Sequence, residues 1–402
     1  MNWSQTLSHL RAAVGILHGS RAFGGPIQAG LALTWRCNLR CLHCYYFSPH
    51  AENRNTFELR RMRREGRELP EGGGPPKPDR VDADTARTNS LIDELVAMGT
   101  RRFQFSGAGE AFLHPDILEF MARAKRLGCY CLSNTNGTLL VQDTADALAR
   151  MGFDELRVTT MAGDREMYLA THPGSPPALF DRLTDNLRYI AERKRAKRMR
   201  KPKVTLVCVV VRANASGLAD FARFACSVDA DGVLFKPFDD VADPGLVPLA
   251  PSPEDGARIE QDLSRAKDLL EARGLKHNIP HFLHAYRQRL DTRALYRVIP
   301  CYYGWLMMRI EVGGAVYPCC RCYNPLGDIY ERGAASIWNG STYRKFRREA
   351  LDLNTRLTPV TGCDCARCVH HVANLRVYRA LHPVAGRSKR IERLRPVADG
   401  ED

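Results

Sequence analysis

Six short apolar runs alternate with helical patterns between residues 30 and 246 of this 402-residue chain. The runs are continuously apolar, as parallel strands covered on both faces must be. Beyond Pro237 the alternation fades, and from Cys301 a cysteine-dense stretch with a hairpin signal takes over. These three observations predict an α/β chain: a partial (β/α)6 TIM-like barrel followed by a small cysteine-rich domain. A full eight-fold barrel takes about 250 residues, and the span here also contains a long insertion, so six units is the expected count.

Residues 1–29 form an N-terminal extension with an amphipathic helix over 3–18. Strands are expected at 30–35, 102–106, 129–134, 155–160, 203–211 and 232–237, joined by right-handed crossovers. Leu91, Leu95 and Met98 recur at helical spacing, as do Ile92 and Val96. Pro115 and Gly128 punctuate the next helix at its start and end. Further helices fit 142–151, 178–195, 215–227 and 254–273. Residues 49–80, Arg-rich and then Gly-Gly-Gly-Pro-Pro-Lys-Pro, predict a mobile loop inside the 30–246 core. A linker and helices over 247–299 lead to the second domain, 300–375. There, 307–312 and 316–318 flank Gly313-Gly314 as a hairpin, and a helix covers 337–350. Residues 376–402 read as a basic, poorly ordered tail.

A hydrophobic share of 44% and a charged share of 26% are those of a globular protein. No apolar run nears the roughly 20 residues of a membrane span, and no signal peptide precedes the first helix, so a cytoplasmic protein is expected. Fourteen cysteines in such a chain point to metal ligation rather than disulfides. Ten of them cluster: 37/41/44, 301 with 319/320/322, and 363/365/368. Cys129, Cys131, Cys208 and Cys226 lie in apolar segments and read as small buried hydrophobes. The net charge of +14 gathers in 59–67, 192–203, 344–348 and 387–395. Solvated helix faces account for it first, steering of an anionic substrate second. Nucleic acid comes last, because no interleaved aromatics accompany the runs.

Parallel β/α folds bind ligands at the carboxyl ends of their strands. The first strand runs into Cys37-x3-Cys41-x2-Cys44. Three thiols fall short of a structural zinc site, which wants four ligands, but suit a 4Fe–4S cluster with one open iron. The second strand ends in Phe105-Ser-Gly-Ala-Gly-Glu110, where Gly107 and Gly109 allow close approach to a ligand and Glu110 offers a carboxylate. The third ends in Ser133-Asn-Thr-Asn-Gly137 and the fourth in Val158-Thr159-Thr160. All four sets fall on one predicted rim.

These residues resemble the signature of the radical S-adenosylmethionine (SAM) enzymes. The resemblance implies that Cys37, Cys41 and Cys44 hold a 4Fe–4S cluster, with Tyr45 the aromatic that follows them. By the same likeness Glu110 holds the ammonium of S-adenosylmethionine, Thr159 lies near its ribose, and Gly107, Gly109 and Asn136 complete the site. Ala111 stands where the family's Gly-Gly-Glu-Pro motif has proline. Cys301-x12-Gly314-x4-Cys319, Leu326-Gly-Asp-Ile-Tyr330 and Ser336-Ile-Trp-Asn339 resemble the SPASM and twitch domains. That likeness implies one auxiliary 4Fe–4S cluster on Cys301, Cys319, Cys365 and Cys368. Cys320 and Cys322 read as alternative ligands, inert neighbours or hydrogen donors, and Cys363 is left over. A zinc ribbon on 319/322 and 365/368 competes with the cluster. His43, His370 and His371 read as solvent-facing.

The function expected is an enzyme that cleaves S-adenosylmethionine reductively and abstracts hydrogen from a small molecule, such as a sugar or cyclitol, which the basic balance makes anionic. A flavodoxin or ferredoxin would supply the electron. The alternatives are a maturase of a ribosomally made peptide, a tetrapyrrole-modifying enzyme, and a non-catalytic zinc or iron–sulfur protein that binds nucleic acid. Only about 28 residues precede the barrel, short for a leader-binding domain.

Overall fold

The structure, a computed structural model, describes residues 3–52, 81–106, 108–239, 243–287, 292–356, 360–365 and 368–383. Gly107, most of the 49–80 insertion and the tail past residue 383 lie outside the described residues.

Six strands stand side by side in parallel: β1 (Gln28–Leu31), β2 (Arg102–Phe105), β3 (Tyr130–Thr135), β4 (Glu155–Thr159), β5 (Lys203–Val210) and β6 (Gly232–Pro237). A two-residue strand, β7 (Lys276–His277), continues the sheet beyond β6. At the other edge β8 (Met307–Ile310) runs parallel to β1, and β9 (Ala315–Tyr317) and β10 (Gly327–Asp328) follow antiparallel. The order β10-β9-β8-β1-β2-β3-β4-β5-β6-β7 leaves two edges, so the ten-stranded sheet is open.

The expected second to sixth strands appear within a residue or so of their predicted bounds. The first is displaced: it spans Gln28–Leu31, not 30–35. Past the strand, Ala32, Leu33 and Trp35 continue the apolar run around Thr34; the Ala32 N–H still donates to Ile310 O (2.9 Å), but the Trp35 N–H turns to Val81 O (2.8 Å). Along β2, Phe103 and Phe105 are buried in the outer core, while Gln104 faces the lumen.

Helix Thr85–Met98 shows how local chemistry fixes the crossovers. The Asp84 carboxylate accepts from the Arg87 N–H at 2.7 Å, satisfying an orphan donor of the first turn. Gly99, at φ 109°, closes the helix in the left-handed region. Leu91, Ile92 and Leu95 face the sheet and are almost fully buried, each worth roughly 1.5–3 kcal/mol.

The second region is joined to the first through the sheet. Its first strand is hydrogen-bonded to β1, and Trp305, Trp338 and Tyr343 belong to the same hydrophobic cluster as the barrel core. Arg347 is buried among their rings, its guanidinium 5.5, 4.4 and 4.8 Å from the three centroids. The helix expected at 337–350 is two, Ala334–Trp338 and Ser341–Leu351, broken at Asn339-Gly340. The predicted loose tail begins inside a helix, His371–Leu381, which buries Asn374 and Leu375.

Candidate active site at the strand ends

Backbone pairing brings the cysteine loop and the acidic loop together. The Gly109 N–H donates to Thr34 O and the Glu110 N–H to Arg36 O, both at 2.9 Å. A Cβ on Gly109 would lie 2.1 Å from Arg36 O, so only glycine closes this seam. The close approach expected at Gly109 is therefore to the chain itself, although Gly109 also lines the cavity.

Glu110 is buried and held on three sides. One carboxylate oxygen accepts from Thr135 Oγ1 (2.8 Å) and the Phe112 N–H (3.1 Å), the other from the Asn136 N–H (2.7 Å). Burial raises its proton affinity, and these donors oppose the rise. Asn136 braces the cysteine loop rather than standing free: its amide donates to Asn38 Oδ1 (2.8 Å), and its Oδ1 accepts from the Thr138 N–H and hydroxyl (3.0 and 2.7 Å).

Cys37, Cys41 and Cys44 line the lumen beside Glu110. Burial pushes Cys37 up to about 12 and raises Cys41 and Cys44 as well. Thiols in such a setting stay protonated unless a cationic centre takes them as thiolates. Thr159 lies on the same wall, and Tyr45 packs on Tyr46 at 4.4 Å. The Tyr46 hydroxyl accepts from Arg309 of β8 at 3.3 Å, tying the cysteine loop to the second region.

The lumen is one cavity of about 1620 Å³ that runs from these cysteines to Cys320, Cys368 and His370. His43, His370 and His371 all line it, which corrects their solvent-facing assignment. Cys320 Sγ lies 3.2 Å from His370 Nε2, and that ring stacks on Tyr303 at 4.0 Å. Burial raises the Cys320 thiol, but His370, Arg309 and Arg321 outweigh it and lower it to about 7. Lys236 and Arg157 also face the cavity; sequence reading missed them, because a buried strand's pattern does not say which face points inward.

A second, smaller cavity is ringed by Cys301, Cys319, Cys322, Cys363, Cys365 and Cys368. Cys322 and Cys363 form a disulfide, contrary to the expectation that every thiol stays reduced. The pairing dismantles the zinc-ribbon quartet and leaves the four cysteines predicted for a cluster. Donors aim at their sulfurs: the Arg321 N–H at Cys319 (3.4 Å), the His370 N–H and Tyr296 hydroxyl at Cys368 (3.3 and 2.9 Å), and the Asn374 amide at Cys301 (3.8 Å). Such bonds set the potential of an iron–sulfur cluster. Among the described residues, no three His, Cys, Asp or Glu side chains converge as a single metal ion requires. By donor type, three and four cysteine sulfurs, the two sets suit iron–sulfur clusters.

Residues 32–225 match the radical SAM superfamily, and residues 301–369 match the iron–sulfur cluster-binding domain called SPASM. The chain is a radical SAM enzyme. Its cofactors are a 4Fe–4S cluster with S-adenosylmethionine and an auxiliary iron–sulfur cluster. The PqqA peptide cyclase of Xanthomonas axonopodis pv. citri (strain 306) is 27% identical over 345 residues, 81% of this chain and 77% of the relative. A tungsten-containing aldehyde ferredoxin oxidoreductase cofactor-modifying protein of Pyrococcus furiosus is 22% identical over 333 residues, 79% of this chain and 82% of the relative. Among solved structures, Streptococcus suis SuiB bound to precursor peptide SuiA superposes with a TM-score of 0.60 at 16% identity, covering 91% of this chain and 78% of SuiB. That likeness shows the shared fold. No helix among the described residues is long and apolar enough to cross a membrane.

Proposed function

We propose that this radical SAM enzyme modifies a peptide, in place of the small molecule expected from the sequence. The observation that carries this reading is the single cavity of about 1620 Å³ reaching from the first cysteine set to the auxiliary side. Pockets for small ligands run to roughly 300–1,000 Å³, so the lumen leaves room for a chain segment beside the cofactors. The cyclase likeness, over four-fifths of the chain, supports the same substrate class.

Cys37, Cys41 and Cys44 hold the first cluster, and Cys301, Cys319, Cys365 and Cys368 the auxiliary one. When bound, the cluster and S-adenosylmethionine would supply radical chemistry for hydrogen abstraction. Glu110, fixed by its three donors, offers its remaining lone pairs to the cofactor's ammonium. Thr159, Tyr45 and Gly109 would border the same cofactor, and Asn136 keeps the cysteine loop in register with Glu110. The barrel walls exclude water from the radical's path. The functional units are 30–246 and 300–375, and a cytoplasmic flavodoxin or ferredoxin delivers the electron.

The test is anaerobic turnover of the reconstituted enzyme with S-adenosylmethionine and reductant. It is offered peptides encoded beside its gene and, separately, aminocyclitols and tetrapyrroles. The expected result is a peptide mass change with 5′-deoxyadenosine release stimulated by that peptide. Stimulation by a small molecule alone would overturn the reading and favour cofactor-type modification, as named for the Pyrococcus relative.

A further inference from the structure

The lumen wall carries a positive charge that no carboxylate among the described residues balances. Along β6, Val233 and Phe235 turn into the outer core, whereas Leu234 and Lys236 face the cavity. Four other cations of that wall have carboxylate partners: Arg157 with Glu155 (2.6 Å), Arg287 with Glu260 (2.7 Å), Arg309 with Glu311, and Arg321 with Asp239. Lys236 has no carboxylate partner among the described residues. Its charged surroundings are Arg157, which repels it, and the Cys320 thiol. Burial, then Arg157, brings the ammonium down to about 8, so it remains largely charged at neutral pH.

A half-buried cation without a counter-charge is costly, and the acids among the described residues of this wall are engaged elsewhere. Glu110 takes three donors from its own chain and, on the reading above, the cofactor's ammonium; Glu155 is shared between Arg157 and the Tyr130 hydroxyl (2.7 Å). A ligand carboxylate would supply the counter-charge that the described residues do not.

We propose that Lys236 anchors a substrate carboxylate, the side chain of an aspartate or glutamate in the modified peptide. The peptide part rests on the reading above; the carboxylate part rests on the lumen alone. The other source of a carboxylate is S-adenosylmethionine itself, and the test separates the two.

The reconstituted holoenzyme is titrated with the capped pentapeptide Gly-Gly-Glu-Gly-Gly, its Gln counterpart and glutarate, and in parallel with S-adenosylmethionine. Wild type should prefer the Glu peptide over the Gln peptide by about tenfold, as a charge-assisted hydrogen bond implies. Lys236→Met should abolish that preference, Lys236→Arg should keep it, and S-adenosylmethionine affinity should be equal in all three. Equal binding of the two peptides by wild type, or a Glu preference that survives in Lys236→Met, would overturn the anchor. Weakened S-adenosylmethionine binding in Lys236→Met with the peptide preference intact would do the same, assigning the lysine to the cofactor. Glutarate binding that depends on Lys236, with neither peptide bound, would retire the peptide reading and leave the carboxylate anchor standing.

Discussion

Thr135 Oγ1 donates to Glu110 Oε1 at 2.8 Å, so the third strand fixes the acid delivered by the second. The same carboxylate takes the Asn136 N–H on its other oxygen, and Asn136 in turn grips Asn38, one residue from Cys37. Acid and cysteine loop are thus positioned as one unit.

Glu110→Gln turns one acceptor into a donor facing N–H groups. S-adenosylmethionine affinity should fall at least about tenfold, the scale of one lost charge-assisted bond, while iron content stays at the wild-type value. Thr135→Val should lose only a few-fold. Equilibrium binding with parallel iron analysis checks both.

Cys41→Ala should remove one cluster's worth of metal, from about eight irons to about four per chain, and end 5′-deoxyadenosine formation. Cys208, buried in the outer core, is the control, and Cys208→Ala should leave iron unchanged.

Thiol titration of the unfolded, metal-free chain tests the disulfide. Twelve free thiols are expected before reduction and fourteen after it. Cys322→Ser/Cys363→Ser should retain the auxiliary iron, whereas Cys365→Ala should lose it.

Gly109→Ala should destabilise the fold by about 1–3 kcal/mol or more, because its Cβ meets the Arg36 carbonyl with no flexible side chain to yield. Gly256 has nothing within 4 Å and already has helical backbone angles. Gly256→Ala should be neutral or stabilising by up to about 1 kcal/mol. Denaturant midpoints at constant m-value distinguish the two.

His172 is buried beside Tyr168, its Nδ1 3.0 Å from Tyr168 O and its Nε2 without a partner among the described residues. Burial lowers it to about 4 from an ordinary 6.5. Folding therefore favours the neutral ring. Its contribution is fully present above pH 6.5 and is lost as pH falls toward about 4, at no more than about 1.4 kcal/mol per unit. Unfolding curves for wild type and His172→Gln should converge across that window and run parallel above it.

How much of this was legible in the chain depends on sequence distance. The 37/41/44 triplet and the acid closing the second strand are local patterns, and their residues meet where strand-end logic puts them. Cys322 and Cys363 lie 41 residues apart and become partners only once the sheet exists. Two-residue strands such as β7 and β10 are too short to show a period. Past the end of β1 the sequence stays strand-like through Ala32, Leu33 and Trp35, yet these residues bond to a neighbouring loop and to β8. Asn339-Gly340 did carry a break signal inside the expected helix. Lys236 and Arg309 sit on strands whose other residues are mostly apolar, and only topology shows which alternate positions face inward.

The parallel ladder between β1 and β8 has a consequence for electron flow and for engineering. Four residue pairs join the strand that feeds the radical-generating loop to the strand that opens the auxiliary region. Sliding one past the other would break that ladder, so the spacing of the first cysteine set from the auxiliary set is fixed by the sheet, and clusters held there would keep a constant separation. It also makes the C-terminal third an unsafe place to cut. A chain ending before β8 would present the bare hydrogen-bonding edge of β1, a template for sticking to its own copies.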